Sequence, residues 1–131
     1  METKGTPCAA FAMDSAEEAL KHMAPEPVVS YGSEQHGNIL HTWDRGGRIL
    51  FRCQNCGGYI LYQSSEYTDP VTGKDTHYDD YFPVSGAEEA DRVNRLYDGF
   101  SIERDFPRRS LMVTGGKAHW SVMNEKNREE K

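Results

Sequence analysis

A chain of 131 residues with 37% hydrophobic content is sized for one hydrophobic core rather than two. It contains no run of about 18 apolar residues, and residues 1–10 lack a basic-then-apolar pattern, so neither a membrane span nor an export signal is expected and a cytoplasmic location follows. The net charge is −6, and it is unevenly spread: residues 66–91 hold eight acidic and one basic side chain, residues 92–131 six and nine. A middle segment of −7 repels nucleic-acid phosphates, so direct nucleic-acid binding is not expected.

Residues 1–7 are polar with Gly and Pro and are expected to be loose. Ser15 with Glu18 has capping-box spacing, which predicts a short helix over 16–23 that stops before Pro25. Beyond Pro27 the pattern turns strand-like. Residues 38–43 and 48–53 flank Asp44-Arg45-Gly46-Gly47, which reads as a hairpin loop. Residues 59–64 and 76–82 are two further strands, joined through Asp69-Pro70-Val71-Thr72-Gly73, a turn sequence. Ser85 and Glu88 repeat the capping-box spacing, and Ala90, Val93, Leu96 and Tyr97 fall on one face of a helix ending near Gly99. Strands are expected at 100–103 and at 111–114 and 117–122 around Gly115-Gly116, followed by a fraying tail, 124–131. The expected fold is α+β over a single domain, 1–131: an antiparallel meander packed with two short helices.

Three cysteines, two of them in Cys53-Gln54-Asn55-Cys56, do not form a disulfide framework; reduced thiols that hold a metal are the better reading. The run Phe51-Arg52-Cys53-Gln54-Asn55-Cys56-Gly57-Gly58-Tyr59 resembles the knuckle of zinc ribbons and rubredoxin-like sites, where two thiolates grip one metal and a glycine after the second cysteine takes positive φ. A thioredoxin-type pair needs a helix starting at the first cysteine, whereas strand-like residues follow here. A structural zinc ion needs two more donors, from Cys8, His22, His36, His41, His77, His119 or a carboxylate. In the expected 38–43/48–53 hairpin Asn38 faces Cys53, which puts His36 beside the knuckle as third ligand. His41 then faces Leu50, about 10 Å away at ~3.3 Å per residue.

Asp75, Asp79 and Asp80 with Tyr78 and Tyr81 form an acidic, tyrosine-rich stretch. No nucleophile or second acid is positioned beside it, and no phosphate-binding glycine loop, serine elbow or zinc-protease helix occurs. The expectation is a binding surface for a basic protein partner rather than an active site. Small size, acidic charge, a lone knuckle and no catalytic motif together resemble the small anti-CRISPR proteins of phages and mobile elements, including metal-binding inhibitors of Cas9. That resemblance is one of overall character and carries over no residue; it implies binding to a Cas9-type effector and blocked DNA loading. The alternatives are a zinc-ribbon-like nucleic-acid or transcription accessory module using Arg104, Arg108, Arg109 and Lys117, and a thiol oxidoreductase.

Overall fold

The computed structural model describes residues 5–31, 45–68, 71–97, 102 and 106–121, without the side chains of 45, 46, 66–68 and 75. A 3₁₀ turn, Ala9–Ala12, and helix α1, Ala16–His22, precede strands β1, Pro25–Ser30, β2, Arg45–Cys53, β3, Tyr59–Thr68, and β4, Asp75–Val84. Helix α2, Ala87–Leu96, then leads to β5, Leu111–Thr114, and β6, Lys117–Trp120. The six strands form one antiparallel sheet in sequence order, the expected α+β meander with two helices.

Each strand alternates its side chains between the two faces of the sheet, and both faces are covered over its central strands. On one face Leu50, Leu61, Phe82, Val84 and Met112 pack against Ala90 and Val93 of α2 and against Ile102 and Phe106. On the other, Phe51, Cys53, Ile60, Tyr81, Leu111 and Trp120 pack against Cys8, Ala10, Ala19, Leu20 and Met23. The sheet is therefore the middle of three layers, with the N-terminal stretch and α1 on one side and α2 on the other. Helix α1 is capped as its sequence predicts, the Ser15 hydroxyl accepting from Glu18 N–H at 3.2 Å. Before α2 the capping changes partner: Glu89, not Glu88, accepts the Ser85 N–H, at 2.6 Å. Leu96 is 67% exposed, and Asn94 is buried beside Ala90 and Val93. Asn94 takes the inner position because Nη1 of the buried Arg48 donates to both its carbonyl and its Oδ1, each at 3.0 Å.

The expected hairpin at 44–47 does not form. Arg45, Gly46 and Gly47 lie inside β2, opposite Glu66, Ser65 and Ser64 of β3, and the other neighbour of β2 is β1, with Pro25 opposite Cys53 and Ser30 opposite Ile49. Two glycines read locally as a turn, but here the ladder with β3 absorbs them. Residues 32–44, including the expected 38–43 strand, lie outside the described residues. Nor is 100–103 a strand where it is described: the Ile102 carbonyl accepts from Phe106 N–H at 3.0 Å, an i to i+4 bond of helical type. The turn at Gly115-Gly116 is as expected, with Thr114 opposite Lys117 and both glycines at positive φ.

The N-terminal segment joins the sheet where β3 begins. Cys8 N–H donates to the Tyr59 carbonyl at 3.1 Å and Tyr59 N–H to the Thr6 carbonyl at 2.9 Å. The approach is close enough that a β carbon on Gly58 would stand 2.4 Å from Cys8 Cα and 2.6 Å from the Pro7 oxygen. Gly58→Ala should therefore cost about 3 kcal/mol, whereas Gly73→Ala, at φ 75° in open space, should cost about 1 kcal/mol; urea unfolding of both variants checks the difference.

Glu89 also ties α2 to the segment before β5, accepting from Arg108 Nη2 at 2.5 Å. Burial pushes its carboxyl up, but the Ser85 N–H and the Arg108 guanidinium outweigh this and hold it below the ordinary value of 4.5. A depressed carboxyl stabilises the fold above its unfolded pKa and stops doing so as pH falls through its folded one. The stability gap between the parent and Glu89→Gln should thus be widest at neutral pH and close as the pH is taken well below 4.5, measured by thermal unfolding across that range.

Candidate metal centre

Three separate stretches bring four donor atoms together. The end of β2 and the turn that follows it carry Cys53 and Cys56, the N-terminal segment carries Cys8, and the last turn of α1 carries His22; their ligand atoms all lie within 4.8 Å of one another. The turn is closed by Gly57 N–H to the Cys53 carbonyl and Cys53 N–H to the Gly58 carbonyl, both 2.7 Å, and Gly57 stands at φ 76°, as the knuckle pattern predicts. Gln54 N–H donates to the Ala24 carbonyl at 2.9 Å and Asn55 Nδ2 to the His22 carbonyl at 2.5 Å. These bonds dock the end of α1 onto the turn. Cys8 reaches the cluster because its segment is paired with Tyr59, and it caps the 3₁₀ turn, its Sγ accepting from Ala10 N–H at 3.5 Å. Ala9 N–H points at Cys56 Sγ, 3.4 Å away.

One edge of the cluster already has the length that a tetrahedral ion requires. Cys8 Sγ and Cys56 Sγ are 3.7 Å apart; a regular tetrahedron with metal–sulfur bonds of about 2.3 Å has edges of about 3.8 Å. His22 Nε2 is buried and has no hydrogen-bond partner, a state that normally costs stability and that a metal bond relieves. Cys8 and Cys53 are 2% and 0% exposed, while Cys56 is exposed. Burial drives the Cys8 thiol up to about 12. Cys53 is driven up by burial too, but hydrogen bonds from the backbone of Ala24, Cys56 and Asn55 outweigh it and lower its pKa. One sulfur is thus prepared for negative charge by the backbone around it, and the other favours the protonated form until a cation takes the proton's place.

The sequence singled out Cys53, Cys56 and His36. The two cysteines are together, and His36 and His41 lie outside the described residues. The choice of His36 rested on the 44–47 hairpin, which the β1–β2 register replaces: with Pro25 opposite Cys53, the residues just before Pro25 lie beside the turn, and His22 is the imidazole delivered there. Cys8 and His22 were both visible as donors, but only the pairing of Cys8 with Tyr59 and of Pro25 with Cys53 selects them. His77 is elsewhere, exposed on β4 with Nε2 3.0 Å from Asp79 Oδ1, and His119 is exposed on β6, outside the cluster.

The acidic, tyrosine-rich stretch is not one surface. Alternation along β4 puts Tyr78 and Asp80 on the α2 face and Asp79 and Tyr81 on the opposite one; Asp80 is 1% exposed, so it offers no surface charge. Asp75 stands at the start of β4, opposite Thr68. On its face Asp79 Oδ1 accepts from the Tyr62 hydroxyl at 2.5 Å, and Tyr62 packs against Tyr81 with ring centroids 5.1 Å apart. Burial, reinforced by Asp79, raises the pKa of both phenols, which keeps them neutral. Two further acids of the segment are paired with bases from later in the chain, Glu89 with Arg108 and Asp91 with Arg95. No protein-family model, curated protein or solved structure matches this chain, and its chemistry is read from the geometry alone: a Cys₃His cluster able to hold a metal ion.

His22→Ala and Cys8→Ser should each abolish stoichiometric metal binding and lower thermal stability by a large step, because the binding free energy of such a site is folding free energy. His77→Ala should leave both unchanged; elemental analysis and thermal unfolding of the three variants check this.

Proposed function

We propose that this chain is a non-catalytic protein-binding module stabilised by a structural zinc ion held by Cys8, His22, Cys53 and Cys56. The observation that carries this reading is the convergence of four donors from three stretches of chain within 4.8 Å. Three thiolates and one imidazole are a donor set typical of structural zinc, and four protein ligands leave no tetrahedral position for water or substrate. The turn after Cys53 runs into β3 rather than a helix, which supports a metal knuckle over a redox pair.

Zinc in this arrangement holds the N-terminal segment and α1 against the sheet, and the binding role falls to the part of that same face that carries Tyr62, Asp79, Tyr81 and His77. Side chains of this kind, with Asp79 26% and His77 52% exposed, suit a partner surface that is basic and offers donors to the carboxylate. The narrower form of the reading is an inhibitor of a Cas9-type effector, supported by the net charge of −6, which suits a basic nucleic-acid-binding groove.

The test is a DNA-cleavage assay with a guide-loaded Cas9-type effector, in which the protein is added before or after DNA. Protection only when the protein comes first, and weaker protection by Asp79→Lys, is the expected outcome. Inhibition indifferent to both the order and the substitution would overturn the docking mechanism, and tight, salt-dependent binding to naked duplex DNA would favour a nucleic-acid module instead.

A further inference from the structure

The four donors of the cluster are not equally sheltered. Cys8 and Cys53 are buried, whereas Cys56 is exposed, and its Sγ is 3.7 Å from that of Cys8. A thiolate that solvent reaches is the one an oxidant meets first, and a second sulfur in contact with it is placed to complete a disulfide.

We propose that Cys56 is an oxidation site, at which a peroxide-class oxidant is reduced and Cys56 is joined to Cys8; this rests on the zinc reading above. In the first step the Cys56 sulfur attacks the peroxide O–O bond, taking one oxygen as a sulfenic acid while the other leaves as hydroxide and gains a proton. In the second the Cys8 sulfur attacks the Cys56 sulfur, the S–S bond forms, and the sulfenic oxygen leaves as hydroxide and gains a second proton. Two thiolates, one hydrogen peroxide and two protons give one disulfide and two waters, the sulfurs losing the two electrons that the peroxide gains. Only Cys53 and His22 then remain as donors, too few for a structural site.

The outcome is an exchange of ties. Cys8 stays fastened to the turn by a covalent bond, while His22, and with it the end of α1, loses its attachment through the ion. Cys53 is the less suited partner for Cys56, since its sulfur is directed at the His22 carbonyl, 3.8 Å away, and is held by the backbone of Ala24, Asn55 and Cys56 and by the Cys8 sulfur.

The experiment treats the zinc-loaded full chain with hydrogen peroxide, follows metal release with a chromogenic chelator, and maps disulfides by peptide mass spectrometry without reduction. The expected result is release of the bound zinc together with peptides joined through Cys8 and Cys56. Cys56→His, which keeps four donors, should release zinc about tenfold more slowly or slower still. Equal release rates in the two proteins, a bridge that uses Cys53, or metal and thiols that survive excess peroxide would each overturn the inference. Should Cys56→His not retain zinc, the disulfide map of the parent decides alone. Protein that contains no zinc and takes none up would instead overturn the zinc reading, a result distinct from zinc-loaded protein that ignores peroxide.

Discussion

Most of one side of this molecule depends on the crossing of the N-terminal segment over the start of β3. Two backbone hydrogen bonds to Tyr59 fix Thr6 and Cys8 there, and the approach is possible only because Gly58 has no side chain to obstruct it. From that point the chain has little freedom. Cys8 caps the 3₁₀ turn, Arg109 donates to the Met13 carbonyl at 2.7 Å and Trp120 to that of Asp14 at 2.9 Å, and α1 follows directly. A helix of seven residues does not hold itself in water. It stands because both its ends are tied, the first by Ser15 and by β6 behind it, the second by the turn that carries Cys53 and Cys56.

The opposite side is held by a different kind of chemistry. Arg48, Gln63 and Asp80 occupy one register row across β2, β3 and β4, all of them buried, and Asn94 of α2 is buried against them. Burying a guanidinium is costly unless its donors are met; here Nε is given to Gln63 at 2.7 Å and Nη1 to Asn94. Such bonds are directional where the surrounding Leu50, Leu61 and Phe82 contacts are not, so they fix the position of α2 along the sheet. The sheet thus carries a layer located by buried side-chain bonds on one face and, on the other, a layer located by the backbone bonds at Tyr59 and by the bonds of Gln54 and Asn55 to the end of α1.

What could be read from the sequence was whatever is decided within a few residues. The Ser15 cap, the Gly115-Gly116 turn, the strand character of 59–64 and 76–82, and the knuckle with its glycines are all local signals, and the structure has them. What could not be read depends on partners far along the chain. Gly46-Gly47 looks like a loop until Ser64 and Ser65 are placed opposite; Leu96 looks apolar and therefore buried until Arg48 claims Asn94 for the inside; Asp80 looks like its neighbour Asp79 until the pleat separates them. The third and fourth donors belong to the same group. Cys8 and His22 are 45 and 31 residues from Cys53, and only the pairings of Tyr59 and of Pro25 bring them in.

The outermost strand carries a consequence for how these molecules meet one another. In β1, Pro25 and Pro27 stand two apart on an edge strand, and the register with β2 slips between Pro27 and Val29. Residues two apart direct their N–H groups to the same side, and proline has none, so pairing with β2 leaves the missing donors on the outer side. An incoming strand would find a row with gaps in it and, past the slip, a local twist away from flatness. Among the described residues this rim is a poor template for the edge-to-edge stacking that turns exposed sheets into fibrils.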